Sequence, residues 1–302
     1  MYDIVIIGAG IAGLTAAIYA RRASKSVLVL EALSYGGQII NATDIGNYPA
    51  EDHISGFELA TKIYDQATAL GTEIVFEKAV GIRNGEGEKT VITEGNEYTC
   101  RAVIIATGSE NRKLGLDNED ALVGRGVSYC ASCDGAFYKN KPVAVVGGGN
   151  TALEDALYLA DVAEKVYLIH RRDSFRGDEG TVEALKKREN VEFVYNSTVT
   201  KLNADKRLES IEITDKSGSL RTVAVDGLFV AVGRITENQN FAELITLDEA
   251  GYIAAGEDCR TNAEGIFAAG DNRTKALRQL VTAASDGACA ATGAVKYIDS
   301  LK

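Results

Sequence analysis

The residues of this chain best suited to chemistry are Cys130-Ala131-Ser132-Cys133-Asp134, two thiols separated by two small residues and followed at once by a carboxylate. Cysteines this close can form a small disulfide ring, and in a Cys-x-x-Cys pair one thiolate is usually stabilised, so the bond forms and breaks near neutral pH. Half of a zinc site and a structural bridge are the alternatives. A closed zinc site needs about four ligands, whereas Cys100, Cys259 and Cys289 stand alone and His53 and His170 are the only histidines in the sequence. No bound metal is expected on that ground. A redox disulfide needs a source of electrons, and the remaining sequence contains the elements that could supply them.

Residues 4–7 are an apolar run that reads as a buried strand, followed by Gly8-Ala9-Gly10-Ile11-Ala12-Gly13 and an alanine-rich helix from Leu14 to about Arg22. Glycines in this setting allow a tight turn and close backbone approach, and the helix start offers N–H groups and positive dipole to a pyrophosphate. A second strand, residues 27–30, ends at Glu31, where an acid accepts hydrogen bonds from ribose hydroxyls. After the Cys pair the series begins again. A strand over 143–146 leads into Gly147-Gly148-Gly149-Asn150-Thr151-Ala152, a helix to about Leu159, a strand over 166–169, and His170. His170 lies as far beyond Gly147 as Glu31 lies beyond Gly8. Strands over 102–105 and 227–232, leading to Gly108 and Gly233, extend the parallel. The expected fold class is α/β, with two Rossmann-like dinucleotide-binding domains, one inserted in the other.

The two acceptor positions differ in kind. Where the first domain has Glu31, the second has His170-Arg171-Arg172, with Arg176 beyond. An acid would repel a ribose 2′-phosphate, whereas guanidinium groups bind it through charge-assisted hydrogen bonds worth roughly 1.5–3 kcal/mol each. The second domain is therefore expected to take NADPH. Direct transfer from NADPH to a disulfide is poor chemistry, because sulfur requires a nucleophile in line, and a flavin bridges the two. The first domain is expected to hold FAD, with the turn Ala106-Thr107-Gly108 close to the ligand and Asp271 on the ribitol hydroxyls. Arg278 and Gln279 open a small-residue helix over about 280–297 whose N-terminus would face the flavin. Between these motifs, Tyr35-Gly36-Gly37-Gln38 and Asn47-Tyr48-Pro49 read as loops and 56–70 as a helix. Residues 72–80 and 90–99 read as strands of a covering layer, and 111–126 as a crossover.

With 302 residues, 46% of them apolar, the chain suits one large or two ordinary globular domains. A net charge of −11 argues against a nucleic-acid or anionic-membrane partner, since neither polyanion would be attracted to such a surface. The opening apolar run is short, lacks a basic flank and runs into glycines, so it reads as a strand and not a signal peptide. No segment reaches the roughly eighteen apolar residues of a membrane helix. Five cysteines with one close pair suit a reducing compartment in which the pair is catalytic, and a cytoplasmic location is expected.

Together, Gly8-x-Gly10-x-x-Gly13, Gly36-Gly37-Gln38, Ala106-Thr107-Gly108, Cys130-Ala131-Ser132-Cys133-Asp134, Gly147-Gly148-Gly149-Asn150, His170-Arg171-Arg172-Asp173, Gly270-Asp271 and Arg278-Gln279 resemble the low-molecular-weight thioredoxin reductases over essentially the whole chain. The resemblance implies a homodimeric FAD enzyme that reduces thioredoxin with NADPH. It also implies a discontinuous FAD domain, 1–113 and 239–302, around an inserted NADPH domain, 114–238, that carries the disulfide. By position, Cys133 would face the flavin, Cys130 would attack the thioredoxin disulfide, and Asp134 would be the acid/base. No other proton carrier adjoins the thiols in sequence, with His53 distant and His170 assigned to the nucleotide. The resemblance further implies that Gly37, Gln38 and Asn47 join Gly8, Gly10, Gly13, Glu31, Thr107, Gly108, Asp271, Arg278 and Gln279 around FAD. Gly147, Gly149, Asn150, Thr151, His170, Arg171, Arg172 and Arg176 would hold NADPH. Ile235-Thr236-Glu237-Asn238 departs from the family pattern, which more often has Pro-Asn here.

Enzymes of glutathione reductase type carry their Cys pair soon after the first dinucleotide motif and a catalytic His in a C-terminal dimer domain, and this chain has neither. Ferredoxin-fed thioredoxin reductases lack the second nucleotide site that Gly147 to Gly149 and Arg171 to Arg176 preserve. A redox sensor with a structural FAD is the alternative from another class. The layout also implies motion. The Cys pair travels with the NADPH domain, yet disulfide and nicotinamide both need the same flavin. Two domain arrangements are expected to exchange during turnover, hinged near residues 114–126 and 233–241.

Overall fold

Strand β1 (Tyr2–Ile7) has no polar face, because Ile4, Val5 and Ile6 are all fully buried, the pattern of a strand covered on both sides. The structure, a computed structural model, describes residues 1–42, 44–85 and 87–301. From β1 the chain passes through its glycines into helix α1 (Ile11–Arg22), then β2 (Val27–Leu30), α2 (Gly56–Ala69), β3 (Glu73–Val75), β4 (Ala79–Asn84), β5 (Lys89–Thr93) and β6 (Glu97–Ile105). The short β7 (Glu110–Asn111) precedes β8 (Val127–Ser128), α3 (Ala131–Asp134), β9 (Pro142–Gly147), α4 (Asn150–Ala160), β10 (Lys165–Ile169), α5 (Glu179–Lys186) and β11 (Val191–Val194). There follow β12 (Ser197–Ala204), β13 (Leu208–Asp215), β14 (Leu220–Ala224), β15 (Gly227–Ala231), β16 (Arg234–Ile235), β17 (Ile266–Ala268) and α6 (Leu280–Ser300). Two compact units result, Met1–Glu110 with Ile235–Lys302, and Asn111–Arg234. In the two connections, β7 and β16 pair with each other.

The first unit is built on a sheet of order β3-β2-β1-β6-β5-β4, with β17 also on β6. Parallel pairing joins β1 to β2 and β6, and β17 to β6. Within the segments expected to form a covering layer, Ala79 and Val91 do pack with Val5, Ile7, Leu28 and Leu30 on one face of the parallel strands, but the segments are bonded into the same sheet. β3 extends the parallel sheet beside β2, while β4 and β5 continue antiparallel from the early part of β6. The cause is the length of β6, whose nine residues leave backbone groups at its start that β5 satisfies, while β17 pairs with its end. Helix α1 begins at Ile11, ahead of the expected Leu14, because Gly10 serves as its N-cap and Leu14 N–H already donates to Gly10 O at 2.9 Å. The stretch after Gly36 is a 3-10 turn, Gly37–Asn41, and not irregular loop. Small residues let α6 lie on α1: Ala290, Ala291 and Ala294 are fully buried, and a Cβ on Gly287 would stand 2.2 Å from Ala12 O.

The second unit repeats the plan, with parallel order β11-β10-β9-β15-β8. Alternation along β9 serves two layers. Ala144 and Val146 face a core completed by Val199, Leu202, Ile211 and Val223 of the antiparallel sheet β12-β13-β14. Val143 and Val145 face the helical side with Leu153, Leu159 and Leu185.

Candidate functional site

In each unit the strand order switches direction at the first strand of the repeat, between β1 and β6 and between β9 and β15, and ligands of such sheets lie outside the carboxyl ends of the strands there. Gly8, at φ +107°, closes against β6, since a Cβ would lie 2.4 Å from Ala106 O; one on Gly13 would meet Gly8 O at 1.9 Å. Gly10 faces open space. The loop is thus shut against the protein on one side and open on the other, as a phosphate cradle must be. Glu31 Oε2 accepts the Ala9 N–H at 2.7 Å and Oε1 the Leu33 N–H at 3.0 Å, so this carboxylate holds the loop from the ribose position.

Thr107-Gly108 and Gly270-Asp271 follow β6 and β17, which pair in register and bring both turns to the same sheet end. Thr107 Oγ1 accepts from Asn272 Nδ2 at 3.3 Å. Exposed Gly37 packs on this loop, its would-be Cβ 3.4 Å from Gly10 Cα, and Gln38 beside it is exposed. At the start of α6, Gln279 caps the helix and its Oε1 accepts from Asn47 Nδ2 at 3.1 Å, while the Arg278 guanidinium lies 4.2 Å over the ring of Tyr252. Asp286, which the sequence reading passed over, accepts Gly270 N–H at 2.9 Å, Arg273 Nη2 at 2.7 Å and Lys275 Nζ at 2.8 Å. Burial alone would raise its carboxyl pKa, but these partners hold it below the usual carboxylate range. Closed glycines, an open cradle and polar groups at converging strand ends fit a dinucleotide such as FAD.

Replacing Gly13 with Ala adds one methyl group that the closed side of this loop cannot take, whereas Ala at Gly10 intrudes on cofactor space alone. Gly13→Ala is expected to lose most bound flavin on purification and to lower the melting temperature. Gly10→Ala should release flavin while leaving the melting temperature of the flavin-free protein unchanged. Flavin absorbance per protein and thermal unfolding check both.

The second loop matches the first. A Cβ on Gly147 would lie 2.3 Å from Ala231 O, and Gly149 faces open space. Gly148 makes room for His170, whose ring Cε1 would be 2.1 Å from a Cβ there. His170 is 5% exposed, stacks on Phe175 at 5.2 Å and has no hydrogen-bond partner at Nε2. Burial, reinforced by Arg176, Arg172 and Arg171, lowers its pKa and favours the neutral ring. The three arginines are exposed to solvent, and Arg176 N–H donates to Gly148 O at 2.8 Å, tying the basic segment to the glycine loop. Asn150 Oδ1 accepts Asp178 N–H at 2.7 Å, and Thr151 is exposed in the first turn of α4. A glycine loop open at Gly149 and tied through Gly148 to a segment with three exposed arginines fits the phosphates of NADPH.

In the same unit Cys130 and Cys133 form a disulfide, with sulfurs 2.07 Å apart. Cys133 is exposed and Cys130 half-buried. The turn is anchored by Ala131, wholly buried in the core beside Phe229, and by Gly135, where a Cβ would meet Tyr158 of α4 at 2.6 Å. Asp134 is half-buried and its Oδ2 accepts the hydroxyl of Ser128 at 2.6 Å. Burial raises the pKa of this carboxyl and the Ser128 bond partly opposes the rise. Cys100 and Cys259, by contrast, are thiols pushed up to about 12 by burial and stay protonated. Neither buried thiol is therefore a nucleophile near neutral pH.

Two nucleotide-binding α/β units, one bearing a partly exposed disulfide, define a pyridine-nucleotide-dependent disulfide oxidoreductase. A family profile described as pyridine nucleotide-disulphide oxidoreductase matches residues 2–287. A thioredoxin reductase of Listeria innocua is 44% identical over all of this chain and 95% of its own, and one of Bacillus subtilis is 41% identical over all of this chain and 96% of its own. The crystal structure of thioredoxin reductase from Streptococcus pyogenes superposes with a TM-score of 0.94 at 41% identity, covering 99% of each chain. The chain belongs to the pyridine nucleotide-disulphide oxidoreductases, in their thioredoxin reductase branch. Its cofactors are FAD and NADPH.

Proposed function

We propose that the chain passes electrons from NADPH through FAD to the Cys130–Cys133 disulfide and from there to the disulfide of thioredoxin. The observation that carries this reading is the exposed disulfide with a half-buried carboxylate in the same turn, in the unit that also bears the second glycine loop. FAD would rest on Gly8, Gly10, Gly13, Glu31, Gly37, Gln38, Asn47, Thr107, Gly108, Asp271, Arg278 and Gln279. NADPH would rest on Gly147, Gly149, Asn150 and Thr151, with Arg171, Arg172 and Arg176 on the 2′-phosphate and His170 supporting the loop from beneath. The FAD domain would then be the unit Met1–Glu110 with Ile235–Lys302 and the NADPH domain the unit Asn111–Arg234, within three or four residues of the expected boundaries at 113/114 and 238/239.

When bound, the flavin supplies the conversion of a nicotinamide hydride into an electron pair that a disulfide can accept. The protein's own residues carry the exchange from there. Cys130 thiolate attacks one sulfur of the thioredoxin disulfide, forming a mixed disulfide and expelling a thiolate that takes a proton from Asp134. Cys133, its own proton passed to Asp134, then attacks the Cys130 sulfur as thiolate, restoring the internal disulfide and expelling the second thioredoxin thiolate, which takes that proton. Asp134 in its charged form takes the proton that the reduced dithiol gives up in becoming nucleophilic, so one carboxyl serves as acid and base.

A homodimer in the cytoplasm is part of the proposal, resting on likeness to the family. Among the described residues no helix is long and apolar enough to cross a membrane. The test is a coupled assay in which NADPH consumption and thiol formation are followed against a panel of purified carriers, thioredoxin and glutaredoxin among them. Thioredoxin is expected to give the highest kcat/KM; no steady NADPH consumption with any carrier would indicate a sensor, and NADPH consumption without thiol formation an oxidase.

A further inference from the structure

Ser128 lies two residues before the dithiol, on β8, and its side chain is 3% exposed. Its Oγ accepts the Cys130 N–H at 3.1 Å and lies 2.6 Å from Asp134 Oδ2 and 3.3 Å from Cys130 O. A hydroxyl has one hydrogen, so the shorter contact decides where it goes: to the carboxylate. The hydroxyl therefore joins the backbone of the attacking cysteine to the carboxylate of the same turn. Its own place is fixed by the sheet, where Ser128 stands in register with Phe229 of β15.

We propose that Ser128 is a positioning residue for the thiol–disulfide exchange, holding the Asp134 carboxylate at the dithiol and setting how readily it gives and takes a proton. The inference rests on the acid/base role proposed above for Asp134. A hydroxyl that donates to the charged carboxylate stabilises that form, so Ser128 counteracts the burial that favours the neutral acid. Other groups near Asp134 are the Tyr138 phenol, influenced in turn by Arg207 and Asp226, and Tyr158 from α4 packed at Gly135. The Ser128 hydroxyl, bonded to Oδ2 at 2.6 Å, is the partner that opposes the effect of burial on Asp134.

The test is the pH dependence of thioredoxin reduction at saturating NADPH for the wild type, Ser128→Ala, Ser128→Thr, Asp134→Asn and the double variant Ser128→Ala/Asp134→Asn. Ser128→Ala is expected to displace one limb of the profile to higher pH and to lower kcat more than it changes KM for NADPH. Ser128→Thr, which keeps the hydroxyl, should restore the limb towards its original position. Asp134→Asn should remove that limb, and adding Ser128→Ala to it should cause no further displacement. A limb that vanishes in Asp134→Asn but stays in place in Ser128→Ala would overturn the role of Ser128 alone. A limb unaffected by Asp134→Asn would overturn the acid/base reading beneath it. If Ser128→Ala destabilises the fold, Ser128→Cys, which lacks the hydroxyl, is compared by the same profile with Ser128→Thr in folded protein: a displaced limb in the first alone is expected, and the same limb in both would overturn the role of Ser128.

Discussion

Cys130→Ser and Cys133→Ser are each expected to reduce kcat for thioredoxin by roughly 10³-fold or more, the scale on which an enzyme loses activity with its nucleophile. Neither Cys100 nor Cys259 can substitute, because burial pushes both thiols up to about 12 and keeps them protonated. Cys289 is exposed on α6 but belongs to the other unit and stands apart from Asp134 and Ser128 in the chain. Both variants should still bind FAD, since none of the groups cradling it is altered. The two single variants should differ in one respect. Cys130→Ser leaves Cys133 thiolate free, and if Cys133 is the sulfur that meets the flavin, this variant alone should give a long-wavelength absorption band. A band in Cys133→Ser instead would reverse the two roles. Steady-state turnover and visible spectra of the purified variants check both statements.

Replacement of Arg171 and Arg172 together by Ala is the second large effect. Two charge-assisted hydrogen bonds of roughly 1.5–3 kcal/mol each correspond to about 10²- to 10⁴-fold in affinity. Both guanidiniums are exposed, so screening favours the lower end. The expected result is a loss of about 10²-fold in kcat/KM for NADPH with kcat/KM for NADH almost unchanged, and a loss that shrinks as salt is raised. Equal losses for the two nucleotides would mean that the arginines hold the loop, as Arg176 does through its backbone bond to Gly148, and not the 2′-phosphate.

The parts of this molecule that were readable from its sequence are those where chemistry leaves one residue type possible. Gly8 and Gly147 are visible because each must approach the carbonyl of Ala106 or Ala231, and that shared demand makes the internal duplication legible in the sequence. The Cys pair is visible because its spacing suits a disulfide. What escaped detection depends on partners remote in sequence or on features with no periodic signal. Asp286 looks like one acid in a helix of small residues, and its importance comes from Arg273, Lys275 and the Gly270 N–H, which the fold alone brings to it. Ser128 is an ordinary strand serine until α3 turns Asp134 back onto it. The covering strands show in the sequence by alternation, but their bonding into the main sheet does not, because alternation reveals strands and not neighbours, and β6 is long enough to serve a parallel and an antiparallel partner. His170 was grouped with the arginines by adjacency, while the strand end places it under Gly148 and leaves the arginines in solvent.

The central claim, that one electron pair passes from each NADPH to one thioredoxin disulfide through Cys130–Cys133, is tested most directly by anaerobic stoichiometry in the coupled assay. The prediction is about two new thioredoxin thiols per NADPH oxidised, with the yield abolished in Cys130→Ser although that variant's flavin is still reduced by NADPH. Undiminished thiol formation by Cys130→Ser, or NADPH oxidised with no thiol appearing in the wild type, would contradict it.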